Sequence, residues 1–373
     1  MAYTNKKCVP ALLATTLVAM PAFAAPYLAT ITRVAPVLSW GANAQPSASR
    51  YFVNVYNLGA ISRGGWSVGV PFSIPYAACV ASTSKEGSFW VLVNRAPGRG
   101  SAIFKYTPVP LPSRQELIRS FSWRSAAGRI TAPLMVGQDR SVWIWSLSRK
   151  TKSYALRIFS RNLSRLLGAC ILPTSDQYVA AVLADDQTVV FSSSWPSVKN
   201  CKVLVVQEDG KSKLTDLTSK VGWHPKYLAA TGSLVSGMTP SGKLMSFRVL
   251  PGGTITSVHV VKVVTPRKQG YIVSYATLNQ NVGFCVVQSP KYGEYGNSYG
   301  IYKLAKIFLK TGKVIRTVVL PSFSQGLFVS HGLVYFIANS GTIYAYTPSL
   351  RFVGRQPPET FSGLISSAVS PTN

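Results

Sequence analysis

Eleven Asp and Glu residues stand among 373, and hydrolysis by paired carboxylates needs two of them facing one another across a bond. The close pairs are Asp185 with Asp186 and Glu208 with Asp209. Both occupy polar stretches, LADDQT and QEDGKS, where an Asp side chain commonly bonds nearby backbone, so both read as turns. The histidines, His224, His259 and His331, stand far apart, and none has a His, Cys or carboxylate neighbour at metal-ligand spacing. His259 alternates within Val258-His259-Val260 and reads as a strand residue. A Ser-His-acid triad assembles across sequence, yet no GxSxG elbow supports one. P-loop, GxGxxG-plus-helix and Asp-rich calcium motifs are missing as well. The residues therefore call for no cofactor and no metal, and they lean away from catalysis. The enzymatic alternative is a hydrolase or lyase acting on acidic polysaccharide, in which bases neutralise substrate carboxylates and a Tyr or His, such as Tyr295 or His224, moves the proton.

Binding chemistry is better represented. Residues 289–300 read as a glycine-rich loop carrying Lys291, Tyr292, Tyr295 and Tyr299. Tyrosines on such a loop offer flat amphipathic contact area at low entropic cost, as recognition loops do. The plain alternative is a long hairpin connection. Basic clusters follow at Arg149-Lys150-Thr151-Lys152, at Arg267-Lys268, and at Lys211 with Lys213, each beside an expected turn. Taken singly these are solvated loops; gathered on one face they would hold a polyanion while the tyrosines stack on sugars or bases.

The whole chain is basic: 39 Lys and Arg against 11 acids give a net charge of +28. Such a surface attracts polyanions and repels itself. Expected partners are lipopolysaccharide, acidic polysaccharide, DNA or an acidic envelope protein. The excess is spread along the chain instead of forming a tail, and a compositional drift toward basic residues would produce it without any partner. A surface or virion structural protein packing against an acidic neighbour is a further alternative.

Lys6 and Lys7 precede an uncharged apolar run, VPALLATTLVAMPAFA, at residues 9–24, and Ala22-Phe23-Ala24 supplies a small-any-small cleavage pattern. This is the form of a Sec-type signal peptide cleaved after Ala24. The run is short for a membrane anchor, which needs about twenty residues, and Cys8 lies before it, where no lipoprotein anchor would form. The mature chain is thus expected to be periplasmic or secreted. An oxidising compartment permits a disulfide, and Cys170 with Cys201 is the closest pair in sequence; small buried thiols in neighbouring strands are the alternative.

The elements that must position these residues are strands. Short runs rich in Val, Ile, Tyr, Phe and Trp, such as residues 51–56, 89–93, 141–145 and 333–337, alternate with turn chemistry. Tips are expected at 57–59, 96–98, 138–140, 185–187, 240–242, around Glu294, and at 339–341. They recur roughly every 40 to 55 residues, the period of four-stranded propeller blades. Ile103-Phe104-Lys105-Tyr106-Thr107-Pro108 is echoed by Ile343-Tyr344-Ala345-Tyr346-Thr347-Pro348. Each follows a Gly-containing turn, as a blade's third strand follows its second. The expected fold class is all-β, a β-propeller of about seven four-stranded blades over residues 25–365 with a short tail at 366–373; tandem β-sandwich or jelly-roll domains are the alternative. A strand from residues 27–40 is expected to complete the last blade beside residues 351–354, removing exposed edges.

The segment from Gly332 to Arg355, with its strand, Asn-Ser-Gly turn and I-Y-x-Y strand, resembles a blade of the exported bacterial quinoprotein-like propellers. The regular Trp and Gly docking positions of quinoprotein repeats and the Trp-Asp ending of WD repeats are absent from this sequence. What the resemblance implies is therefore a propeller used for binding or as a scaffold, without a quinone cofactor.

Overall fold

The computed structural model describes residues 27–34, 50–62, 72–74, 79–82, 89–94, 101–107, 114–121, 129–136, 142–147, 154–160, 164–171, 178–185, 188–193, 201–207, 209–263, 270–292, 298–357 and 363–369. From the N-terminus come β1 (Tyr27–Val34), β2 (Arg50–Asn57), the short helix α1 (Leu58–Ser62) and β3 (Phe72–Ile74). Blade 1 is β4 (Cys79–Ser82), β5 (Phe89–Asn94), β6 (Ser101–Thr107) and β7 (Arg114–Phe121). Blade 2 is β8 (Arg129–Val136), β9 (Val142–Leu147), β10 (Tyr154–Phe159) and β11 (Leu166–Ile171). Blade 3 is β12 (Tyr178–Ala184), β13 (Thr188–Ser193), β14 (Lys202–Gln207) and β15 (Ser212–Asp216). After α2 (Thr218–Val221), blade 4 is β16 (Tyr227–Thr231), β17 (Leu234–Met238), β18 (Lys243–Val249) and β19 (Ile255–Lys262). Blade 5 is β20 (Tyr271–Thr277), β21 (Val282–Tyr292), β22 (Ser298–Phe308) and β23 (Val314–Val319). Blade 6 is β24 (Ser324–Ser330), β25 (Leu333–Ala338), β26 (Ile343–Tyr346) and β27 (Phe352–Gln356), and β28 (Gly363–Val369) ends the series.

These strands form seven four-stranded sheets, each antiparallel and in chain order, except that β28 joins β1, β2 and β3 as blade 7. First strands meet around the axis, with β4 touching β28 and β8, β16 touching β12 and β20, and β24 touching β20 and β28. The architecture is a β-propeller, and the sandwich alternative falls.

Because each blade is covered on both sides, its middle strands are apolar at consecutive positions instead of alternate ones. In β14, Val203 and Val205 pack toward Val235, Met245 and Phe247 of blade 4. Leu204 and Val206 pack the other way, onto Leu156 and Ile158 of blade 2. β25 repeats the scheme: Val334 and Phe336 join Phe284 and Leu304 of blade 5, while Tyr335 and Ile337 join Leu28 and Tyr56 of blade 7. Burying each such side chain stabilises the ring by about 1.5–3 kcal/mol.

A second contact locks blade to blade at the outer rim. The turns joining third to fourth strands share one form, closed by bonds such as Gln207 N–H to Lys211 O and Phe308 N–H to Lys313 O, at 2.8 and 2.9 Å. At Gly210, Gly253 and Gly312 these turns hold φ of +84°, +76° and +68° and rest on the preceding blade. A Cβ on Gly312 would stand 2.5 Å from Lys262 O. In blade 6 the equivalent residue is Leu350, at φ +59°, which plugs into the core between blades 5 and 6.

Five expectations need correction. The N-terminal strand does not lie beside residues 351–354: β1 pairs with β2 and with β28, Leu28 opposite Val369. The chain has a strand to spare after β27, and β28 runs to Val369, past position 365 where the propeller was expected to end. Residues 57–59 are not a hairpin tip; Asn57 Oδ1 accepts from Ala60 N–H at 3.3 Å as α1 begins, and Leu58 and Ile61 bury against blade 6. Cys170 and Cys201 are not bridged but free. They lie on opposite sides of blade 3, Cys170 packed with Leu204 and Val206 and Cys201 with Leu217, Val221 and Trp223. Burial pushes the Cys201 thiol up to about 12, so it stays protonated and inert. Finally, residues 289–300 are not one loop, because β21 and β22 pair as far out as Tyr292 opposite Ser298.

Candidate binding face

Strand direction alternates within each blade, so connections of one kind all open on the same side of the ring. Second-to-third strand connections and blade-to-blade connections share one face, here called upper; first-to-second and third-to-fourth connections share the lower face. The strand ends flanking residues 148–153 (β9 and β10), 264–269 (β19 and β20) and 293–297 (β21 and β22) therefore all open on the upper face. Arg149, Lys150, Lys152, Arg267, Lys268 and Tyr295 themselves lie outside the described residues. Lys291 pairs with Tyr299 at the upper end of the β21–β22 ladder.

Charge divides unevenly between the faces. Upper connections contain Arg95, Arg99, Arg124, Arg149, Lys150, Lys152, Lys199, Lys220, Lys226, Arg267 and Lys268, against the acids Asp176, Glu294 and Glu359. Lower connections contain the acids Glu86, Asp139, Asp185, Asp186, Glu208 and Asp209 and the bases Arg63, Lys85, Arg140, Arg161, Arg165, Lys211, Lys310, Lys313 and Arg351, so both sides are basic and the upper one more strongly. Lys211 and Lys213 belong to that lower side. Lys211 makes an ion pair with Asp209 at 2.9 Å, and Asp209 Oδ1 accepts from Lys211 N–H at 2.9 Å. The hydrogen bond from Lys211 holds the Asp209 carboxyl below its usual range. Asp185, at φ +48°, sits in a turn and donates its backbone N–H to Gly232 O at 3.2 Å. Both serve as turn residues, as their sequence contexts imply.

The upper edge of blade 4 carries cations that sequence reasoning missed. Lys243, which opens β18, stands directly opposite Lys262, which closes β19, and both are exposed. Exposed Lys220 and Lys226 lie on the connection leading into the blade. That connection is firmly tied. Asp216 Oδ1 accepts from Thr218 N–H at 2.8 Å, Thr218 Oγ1 accepts from Cys201 N–H at 3.0 Å, and Lys226 N–H donates to Met238 O at 3.0 Å. Trp223 anchors it in the core. Lys243 Nζ stands 5.9 Å from the Trp223 ring and Lys226 Nζ 5.7 Å from that of Tyr227, within range for cation–π attraction. The signal available in sequence was the interleaving of aromatic and basic residues in Trp223-His224-Pro225-Lys226-Tyr227.

Around the axis the chemistry is different. Arg129 is the one charged residue in the seven innermost strands, which contain no His, Asp or Glu. Hydroxyl pairs stitch these strands together, Thr231 to Thr277 at 3.0 Å and Ser274 to Ser324 at 3.1 Å. His259, a β19 residue as its alternation suggests, meets Lys310 O through Nε2 at 2.8 Å, and His331 Nδ1 meets Ser330 Oγ at 3.0 Å on the lower face. Among the described residues no group of three His, Cys, Asp or Glu side chains gathers to hold a metal. Nor, among them, is any helix long and apolar enough to cross a membrane.

No family model matches the sequence, and no curated protein matches it. Solved structures do. A protein from Lactobacillus plantarum is similar over 92% of this chain and 99% of its own, with a TM-score of 0.58 at 10% identity. A functionally unknown protein from Desulfotomaculum acetoxidans gives 93% and 99%, also with a TM-score of 0.58 at 10% identity. The β-propeller domain of the Trilobed protease from Pyrococcus furiosus, described as having an open velcro topology, gives 86% and 89%, with a TM-score of 0.54 at 12% identity. In the present chain, by contrast, β1 and β28 pair across the closure. At such identities the likeness speaks for the fold alone, and the fold is a β-propeller.

Proposed function

We propose that this chain is an exported, non-enzymatic binding propeller that recognises a polyanion of the cell envelope, such as lipopolysaccharide, through its upper face. The observation that carries this reading is the uneven net charge: the upper connections hold eleven bases against three acids, the lower ones nine bases against six acids. Opposed Lys243 and Lys262 support it further, since like charges directly opposite one another destabilise an antiparallel pair unless an anion offsets them. Counter-ion release from a polyanion makes such binding steeply dependent on salt.

The test is retention on heparin and on immobilised lipopolysaccharide across a salt series. Replacing Lys220, Lys226, Lys243 and Lys262 together with Ser is expected to lower the salt of elution and flatten the salt dependence by about one phosphate-equivalent contact per lysine engaged. Lys211→Ser with Lys213→Ser, at the β14–β15 turn, should leave both near the parent values. Equal loss in the two variants would point to net charge alone and remove the case for a recognition face.

A further inference from the structure

The groove between the outer halves of blades 5 and 6 is separate from the upper face and carries a different pattern. On the blade 5 wall a row crosses the sheet in register, from Phe284 through Lys306 to Arg316. Phe284 is fully buried in the core shared with blade 6. Leu304 and Val318, each two residues along, belong to that same core, so Lys306 and Arg316 lie on the side of the sheet that faces blade 6. On the opposite wall the row runs from Phe336 through Tyr344 to Arg355. Its neighbour Tyr346 stands opposite Phe352.

The aromatic rings form a continuous path from core to rim. Phe336 and Tyr344 have centroids 5.7 Å apart, Tyr344 and Phe352 6.5 Å, and Tyr346 and Phe352 5.9 Å. Phe352 ends the path 57% exposed. Phe352 thus stands exposed just after the turn 347–351, with Arg355 three residues along its own strand and with Lys306 and Arg316 on the facing side of blade 5. Lys306 and Arg316 oppose each other directly, an arrangement that costs stability, and no carboxylate among the described residues offsets it. Glu294 is the single acid in the entire stretch 271–356, in the connection between β21 and β22.

We infer that the blade 5–blade 6 groove is a second binding site, built for a uronate-bearing glycan with a sugar ring packed on Phe352 and its carboxylate held between Lys306, Arg316 and Arg355. A uronate presents an apolar C–H face and a carboxylate on the same rigid ring, which matches an aromatic ring set among cations. Guanidinium groups hold carboxylates through paired, charge-assisted hydrogen bonds. An acidic peptide satisfies the cations but leaves the exposed ring without a partner of matching shape.

The experiment is calorimetric titration with oligogalacturonate, using the full chain in which Lys220, Lys226, Lys243 and Lys262 are already Ser, so that failure of the upper-face reading leaves this one testable. Phe352→Ala is expected to weaken binding about tenfold, and Arg316→Ser with Arg355→Ser by more. Both changes are at exposed positions, and unchanged thermal melting confirms that the ring is intact. Methyl-esterified oligogalacturonate, which keeps the sugar and loses the charge, is expected not to bind. Undiminished binding by the Phe352→Ala and double Arg variants overturns the site. Equal affinity for polyglutamate overturns the glycan and makes the occupant an acidic peptide.

Discussion

Tyr335 shows how individual residues trade packing against polarity in this ring. Its ring stacks on Phe328 at 5.2 Å, while its hydroxyl is buried without a hydrogen-bond partner, and burial pushes its ionisation up to about 12. An unpaired buried hydroxyl costs about 1–3 kcal/mol. Tyr335→Phe is therefore expected to raise the melting temperature, and a fall would mean that the hydroxyl has a partner after all. Gly312 makes the complementary point about backbone. Gly312→Ala places a Cβ 2.5 Å from Lys262 O at φ +68°, whereas Gly252→Ala, at φ +82°, meets nothing within 4 Å. The second change carries the left-handed penalty of about 1–2 kcal/mol; the first adds a blade-to-blade clash of about 1–3 kcal/mol. Denaturant melts of the two variants should differ accordingly, and equal losses would show that the rim turns do not lock the blades. His331 gives a pH signature. Partial burial holds its imidazole below the ordinary 6.5, so the unfolded chain binds the extra proton first as pH falls. The stability contributed by neutral His331 is complete above about pH 7 and is lost on acidification. His331→Asn, which tolerates φ +48°, should flatten the loss of stability between about pH 7 and 5.

At the scale of the element, what was legible depended on how local the determinant was. Runs such as Phe89-Trp90-Val91-Leu92-Val93 and Leu333-Val334-Tyr335-Phe336-Ile337 became β5 and β25, because β-branched and aromatic residues with both faces covered leave little choice. The echo of Ile103-Phe104-Lys105-Tyr106 and Ile343-Tyr344-Ala345-Tyr346 marked true equivalents, both third strands of their blades. The tips recurred at the blade period, yet they mixed kinds of connection: residues 138–140 and 185–187 join first to second strands, whereas 96–98, 240–242 and 339–341 join second to third. Turn composition alone does not distinguish these, since either kind uses Gly, Asn and Asp to reverse the chain. The stretch around Tyr292 looked like a loop because its glycines and proline mask strand propensity that only cross-strand pairing reveals. Closure was likewise non-local. β28 is held in the ring by its pairing with β1 alone among the strands of blade 7, so truncation after Gln356 strips that edge from β1. The truncated protein is expected to lose thermal stability and to self-associate through the bared strand, as measured by melting and gel filtration; a monomer of unchanged stability would show that the last strand is dispensable.

Across the whole molecule, composition announced a basic protein but not where its charge would lie. The alternation of strand direction sorts the connections into two kinds, and bases outnumber acids by more in the connections of the upper kind than in those of the lower. The described cations Lys220, Lys226, Lys243 and Lys262 could not be singled out from sequence, because their convergence depends on β18 pairing with β19 and on the connection pinned by Trp223. The functional reading stands on polyanion binding at the more strongly basic, upper side of the ring. Hydrogen exchange with and without a heparin oligosaccharide probes it most directly. Protection is expected at residues 148–154, 218–227, 239–243 and 262–270 on the upper side; protection centred on 208–213 instead would contradict the account.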